Sequence, residues 1–305
     1  ESLIESNASI DTDIGGEQFK AEYTLTGSEP EGVLDFIINA TDYMGNPGTY
    51  GSTTDGSQVI YDKTPPQITN VNVASNNADI AWAKVGDSIT ISFTSNEEIL
   101  TPTVSILNQT SIVSNPQGND YIAIYVPRDF DTEGEANFEI QFSDLAGNEG
   151  TSIIASTNNT KVIFDKTPPA DFAVGLLTPT GGNQVDGMWN LTNTGMDIMI
   201  PVANDTTLKN GTVQIFGKVG SNDFEPIGSI SNILSNDINA NKTISVSGAL
   251  IEGLTGFTEG QKIYIKSVMT DRPGNTTESS QSITEIIIDE TPASITPISI
   301  LSSNN

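Results

Sequence analysis

Ala83-Lys-Val-Gly-Asp-Ser-Ile-Thr-Ile-Ser-Phe93 is the stretch that decides the fold class of this 305-residue chain. Ile89, Ile91 and Phe93 alternate with Thr90 and Ser92, the period of two that sends one set of side chains into a core and the other toward water. The same texture returns downstream, where Phe138, Ile140 and Phe142 alternate with Glu139 and Gln141. Short apolar alternations of this kind recur between clusters of Gly, Asn, Pro and Ser, and no longer segment carries a helical stripe. The reading is all-β, with units of about seven short strands folded as a sandwich of two antiparallel sheets. Strand A is expected just after each proline pair, strand B at Ser88 to Thr94, strand F at Asn137 to Ser143 and strand G at Lys161 to Phe164.

The surrounding sequence is repetitive. Three segments end alike, at Asp62-Lys-Thr-Pro-Pro66, Asp165-Lys-Thr-Pro-Pro169 and Asp289-Glu-Thr-Pro292, and the three aspartates lie 103 and 124 residues apart. Upstream of each lies a second mark: Asp42-Tyr-Met-Gly-Asn46, Asp144-Leu-Ala-Gly-Asn148 and Asp271-Arg-Pro-Gly-Asn275. A Glu-Gly pair precedes these at Glu31, Glu133 and Glu259. The expected division is residues 1–64 as the C-terminal part of one repeat, 65–166 as a complete repeat, 167–290 as a longer one, and 291–305 as the first strand of another. Aligning Tyr23 with Tyr125 sets Glu1 opposite Thr103, well inside a repeat that begins at Pro65, so the chain reads as a window on a longer array.

Composition narrows the chemistry. Cysteine and histidine are both absent, which removes thiolate chemistry, disulfides, tetrahedral zinc and every scheme with imidazole as base. Carboxylate-only catalysis survives on paper, but among 39 acidic residues some pair always looks suitable, so no enzyme activity is assigned. Twelve basic residues leave a net charge of -27, too acidic to hold a phosphate backbone or an anionic membrane. The longest apolar runs, such as Met196 to Val202, fall far short of a membrane span. Sequons from Asn7 to Asn275 occur at about the frequency that the Asn, Ser and Thr content gives by chance.

The Asp-Lys-Thr-Pro-Pro linker, the Asp-x-x-Gly-Asn turn and the 83–93 stretch resemble the immunoglobulin-like repeats of large bacterial cell-surface adhesins, including gliding and biofilm adhesins of Gram-negative bacteria. The resemblance covers nearly the whole chain and implies tandem immunoglobulin-like β-sandwiches arranged end to end. It further implies an extracellular, cell-surface stalk segment for attachment. Its partners would be further repeats of the same chain and a surface receptor or glycan met by a tip domain outside residues 1–305. Glu290, in place of the linker lysine, departs from the pattern.

In that topology the B–C and F–G loops of one unit meet the E–F loop and the end of strand G of the unit before it. At the first junction this gathers Glu29, Glu31, Asp62, Glu97, Glu98, Asp144 and Asn148. At the second it gathers Asp129, Asp131, Glu133, Asp165, Asn204, Asp205, Asp271 and Asn275. Calcium takes six to eight oxygen ligands and would neutralise such sets, stiffening each junction. The competing reading is that Asp144 and its equivalents cap a tight turn and bind nothing. Neither Asp11-Thr-Asp13 nor Asp129-Phe-Asp131 continues as an EF-hand loop. Lys63 and Lys166 read as solvated linker residues, and Trp82 and Trp189 as packing residues at the A–B edge, with stacking on sugar the lesser reading. An alternative function is a self-assembling surface-layer or filament subunit. Its apolar tail, Ile295 to Leu301, would complete another copy's sandwich by strand addition.

Overall fold

The structure, a computed structural model, describes residues 9–12 and 19–296. The chain folds as two compact units, one of residues 1–73, 90–125 and 137–160, the other of 74–89, 126–136 and 161–305. Both are almost wholly β, as the alternation predicts.

The first unit holds a four-stranded sheet in the order Ile112–Gln117, Asp120–Tyr125, Ile89–Ser95 and Ile68–Ser75, and a three-stranded sheet in the order Gln109–Thr110, Thr103–Ile106 and Phe138–Gln141. Strand Ile89–Ser95 buries every second residue, so Ile91 and Phe93 point into the core while Ser92 and Thr94 stay half-buried. Phe93 stacks on Tyr121, ring centroids 5.4 Å apart, and Val104, Ile106 and Ile140 are fully buried. The same unit carries the strands Phe19–Glu22, Ile38–Thr41 and Pro47–Tyr50, whose residues are mostly exposed.

The second unit holds a seven-stranded sheet. Its main path runs Met188–Asn190, Ile286–Asp289, Lys262–Thr270, Thr212–Val219 and Glu225–Pro226. A three-stranded sheet, Leu177–Thr180, Gly195–Val202 and Ala240–Ser247, packs with it around a core that includes Trp189, Met196, Ile198, Ile215 and Ile265. Full burial of each such side chain contributes roughly 1.5–3 kcal/mol.

One topological detail marks the immunoglobulin-like arrangement. A short strand before strand B leaves its own sheet and pairs parallel with the last strand, in an otherwise antiparallel fold. It occurs twice, Trp82–Ala83 beside Ile163–Phe164 and Met188–Asn190 beside Ile286–Asp289, with Trp82 opposite Ile163 and Trp189 opposite Ile288. Trp82 and Trp189 share a spacing, each seven residues before the first inward residue of strand B, Ile89 and Met196, because each sits on that crossing strand. Trp189 is fully buried, edge-on to Phe257, as packing requires.

The observed elements are shorter and more broken than seven clean strands per unit. Strand F narrows to Phe138–Gln141 and strand G to Ile163–Phe164. Between the prolines and strand B, side chains finish the ladder: Val71 and Val73 donate their amides to the hydroxyls of Thr157 and Thr160. A one-turn helix at Gly248–Glu252 and a 3-10 turn at Thr206–Leu208 are the helical segments described. No helix of the described residues is long and apolar enough to cross a membrane.

Candidate functional site

The three Asp-x-x-Gly-Asn segments are one turn built three times. Glycine is required at its fourth place, because Gly45, Gly147 and Gly274 hold φ of 90°, 93° and 98°, where a Cβ is strained. The aspartate closes the turn. Asp144 Oδ1 accepts the Asn148 amide at 2.8 Å and Oδ2 accepts the Asn148 side-chain nitrogen at 2.7 Å. Asp42 with Asn46, and Asp271 with Asn275, repeat both bonds. The turn-capping reading of these aspartates is therefore correct as geometry.

At two of the three turns the asparagine also reaches outward. Asn148 Nδ2 donates to the carbonyl of Asp62 at 3.2 Å and Asn275 Nδ2 to that of Asp165 at 3.1 Å. Each junction thus joins one repeat's turn to the preceding linker, the first within the first compact unit and the second within the second.

The linker itself is clamped. Glu31 accepts the Lys63 amide at 2.9 Å and the Thr64 hydroxyl at 2.7 Å. Glu133 accepts the Lys166 amide at 2.8 Å and the Thr167 hydroxyl at 2.7 Å. Asp62 and Asp165 each accept the amide two residues on, both at 3.0 Å. The linker lysines are exposed at Lys63 and half-buried at Lys166, as solvated linker residues are, and both also hold fixed contacts. Lys63 Nζ donates to the carbonyls of Gly27 and Glu29 at 3.2 and 3.1 Å, and Lys166 Nζ to those of Asp129 and Asp131 at 2.5 and 2.8 Å. The ammonium pins strand G to the preceding loop. Glu290 keeps the backbone part of the clamp, donating its amide to Glu259 at 2.8 Å. Its own carboxyl is pushed up by burial and by the charges of Glu252 and Glu259.

Of the acids assigned to the first junction, Asp62, Glu97 and Asp144 converge, with one carboxylate oxygen from each lying within 4.8 Å of the others. Asp144 is buried and the other two are half-buried. Burial, then the charges of Asp62 and Asp144, push the Glu97 carboxyl up, with Glu31 adding to the effect. Burial works against ionised Asp144 as well, but the Asn148 and turn hydrogen bonds outweigh it and hold this group below its usual range. Glu29 is spent elsewhere: Tyr23, Thr26 and Gly27 donate to its carboxylate, and the Tyr23 and Thr26 bonds bring its pKa down to about 2. Glu98 is exposed in the loop that follows Ile89–Ser95.

The second junction differs. The strand-B register that matches Ile89 to Met196 puts Asn204 where the first junction has Glu97, so that position supplies an amide in place of a carboxylate. Asp205 caps the 3-10 turn, accepting the Thr207 amide at 2.9 Å and hydroxyl at 2.8 Å. Asp165 is buried, and no amide or hydroxyl donates to its Oδ2. Burial, then the charges of Asp271 and Glu133 and a shared proton with the Glu133 carboxylate, push its pKa up to about 6. Asp271 is raised by burial, with Asp205 adding to it, while the clamp bonds keep Glu133 low against its own burial. Asp131 turns its Oδ2 to the Arg128 amide at 2.8 Å, and Asp129 contributes the carbonyl that holds Lys166.

The second junction also has contacts that the sequence did not reveal. Arg272 pairs with Asp79, Nε to Oδ2 at 2.7 Å, and lies over the Trp82 ring at 5.1 Å from its centroid. Asn77 donates to the Pro273 carbonyl at 2.8 Å. The position of Arg272 in the turn is Leu145 at the first junction, 62% exposed. Only the presence of an arginine inside the second turn motif could have flagged the difference.

Chemically, both junctions offer oxygen alone. That donor set suits a hard divalent cation and excludes soft-metal chemistry.

No family model and no curated protein sequence matches the chain. Among solved structures, domains A168-A170 of titin are similar at 11% identity and a TM-score of 0.40, over 88% of this chain and 86% of that one. Dimeric latent PorU from Porphyromonas gingivalis is similar at 13% identity and a TM-score of 0.27, over 90% of this chain. This chain spans 25% of the PorU chain.

Proposed function

We propose that this chain is a non-enzymatic structural segment of an exported, repetitive cell-surface adhesin, and that calcium stiffens the junctions between its immunoglobulin-like repeats. The observation that carries the reading is the convergence of Asp62, Glu97 and Asp144 within 4.8 Å at a linker already held by proline, lysine and asparagine. Three carboxylates so close repel one another at neutral pH, and a bound cation turns that repulsion into attraction. Backbone carbonyls and water complete a shell that three carboxylates alone leave short of six oxygens. At the second junction the buried Asp165 carboxyl, set against those of Asp271 and Glu133, supports the same ligand.

A segment of this kind works mechanically, by reach and stiffness. Two consecutive prolines fix the linker backbone, and the lysine clamp removes slack from its start. On this reading a receptor or glycan is met by a tip domain outside residues 1–305, the setting is extracellular, and the neighbouring partners are further repeats. The experiment is small-angle scattering of the metal-stripped chain with and without calcium. Calcium should lengthen the maximum dimension and narrow the conformational spread, and superimposable profiles would reject the calcium-stiffened stalk.

A further inference from the structure

The seven-stranded sheet of the second unit carries a cationic face on a strongly acidic chain. On strands Thr212–Val219 and Lys262–Thr270 every second residue is buried, so Phe216, Lys218, Tyr264 and Lys266 share the outward face. The register sets Phe216 opposite Lys266 and Lys218 opposite Tyr264, close enough across the strands for their side chains to meet. Rings and ammonium groups therefore alternate both along each strand and across the pair.

Phe224 joins them from the segment that follows Thr212–Val219. Lys218 Nζ and Lys266 Nζ each lie 4.7 Å from its ring centroid. Lys218 also lies 5.5 Å from the Tyr264 centroid, and Lys266 5.7 Å from that of Phe216. Rings at this range attract an ammonium and fix its place, so two like charges are held at one phenyl ring. Lys262 continues the same outward row.

Packing of lysine stems over rings accounts for the contacts but not for the charge. With 39 acidic against 12 basic residues, lysines elsewhere reach carboxylates: Lys84 meets Asp87, Lys161 meets Glu135 and Lys242 meets Asp237. On this face Lys262 pairs with Glu285 at 2.5 Å and Lys266 with Glu278 at 2.8 Å. Lys218 is held by rings alone, with no ion pair among the described residues, so its donors are open to an anion from outside. At physiological salt, charges beyond about 8 Å are largely screened, and the -27 of the whole chain does not cancel this local excess. Both strands are paired on each side. No backbone edge is open there to a peptide strand, and a ligand on this face is read by side chains alone.

We propose that this face binds a carboxylated polysaccharide, with the Lys218 ammonium donating to a uronate carboxylate and the rings and lysine stems lying beneath sugar C–H groups. A polysaccharide needs no main-chain pairing. Its apolar and anionic groups recur along the chain, as rings and ammonium groups recur on this face, and the charge of Lys218 complements the carboxylate.

The test is calorimetric titration of the full chain with hyaluronan oligosaccharides in EDTA at physiological salt, beside neutral dextran and polyglutamate. The expected result is saturable binding of hyaluronan and of neither control. Lys218→Gln with Lys266→Gln should weaken it at least about tenfold, as loss of charge-assisted hydrogen bonds does. Lys161→Gln with Lys209→Gln removes the same charge from exposed sites elsewhere and should change it less than about twofold, since distant charges are screened. Phe224→Ala keeps every charge but removes the ring that holds both ammonium groups, and should also weaken binding; melting curves check that each variant is folded. No binding of hyaluronan, equal losses in the two double variants, or equal binding of dextran or polyglutamate overturns the proposal. Because the titration is run without calcium, its failure leaves the calcium reading intact, and the reverse also holds.

Discussion

The two junctions carry the same motif and are held in different ways. The first brings Asp62, Glu97 and Asp144 within 4.8 Å and crosses from turn to linker by the Asn148 amide. The second has Asn204 in place of Glu97, buries Asp165 with no amide or hydroxyl donor on one oxygen, and adds Arg272 on Asp79 and Trp82. A motif that repeats in sequence fixes the turn and the clamp. The residues between its anchors decide whether a junction relies on a cation from solution alone or is held by a cationic side chain as well.

That contrast can be broken at several points. The largest effect belongs to the tryptophans, which occupy the same crossing strand. Trp189→Ala empties a fully buried site and should cost about 3–5 kcal/mol, whereas Trp82→Ala, at a half-buried site, should cost clearly less in urea unfolding. Equal losses would show that Trp82 is core and not part of the Arg272 contact.

Calcium removal comes next. Chelation should free the first junction and leave the second largely held, as read by spin-label distances across each linker. Arg272→Ala should then make the second junction sensitive to chelation too. If chelation frees both equally in the wild-type chain, the arginine contributes nothing.

A smaller effect concerns pH. Asp165 titrates near 6 in the fold and near 3.9 when unfolded, so between these values the folded state binds more protons. Stability of the metal-free second junction should therefore fall as pH rises from about 4 to 6 and level off above. Asp165→Asn should flatten that part of the profile in thermal melts, and an unchanged slope would place the titration elsewhere.

Smallest are the linker lysines. Lys63→Met and Lys166→Met each lose an ammonium held by two carbonyls near the surface, a change of about 0.5–1.5 kcal/mol. Hydrogen exchange at residues 27–31 and 129–133 should rise correspondingly, and no change there would return these lysines to solvent.

Much of the fold was legible because it depends on period and local chemistry. Ile89, Ile91 and Phe93 alternate and are buried as alternation requires, and Gly147 sits at positive φ as the turn motif demands. The tryptophan spacing was visible, but its cause, a strand that crosses to pair in parallel, is a long-range pairing that local pattern does not encode. The site was legible in part. Loop order brought Asp62, Glu97 and Asp144 together, yet Glu29 and Glu98 have carboxylates of the same type and fall outside the group. Glu29 folds back onto its own loop, and Glu98 stays exposed in the loop beside Glu97. The register of strand B alone could have shown that Asn204 replaces Glu97. The roles of Lys63, Lys166 and Arg272 could not be read, because each depends on a partner that only the folded chain brings near.

The most direct test of the calcium-stiffened account is calorimetric titration of calcium into metal-stripped residues 1–305, beside Glu97→Gln and Asp165→Asn, with melting followed in parallel. The account predicts saturable binding at both junctions, loss of one site in each variant, and a rise in Tm that shrinks with each loss. Absence of heat and of any Tm shift in the wild-type chain would contradict it.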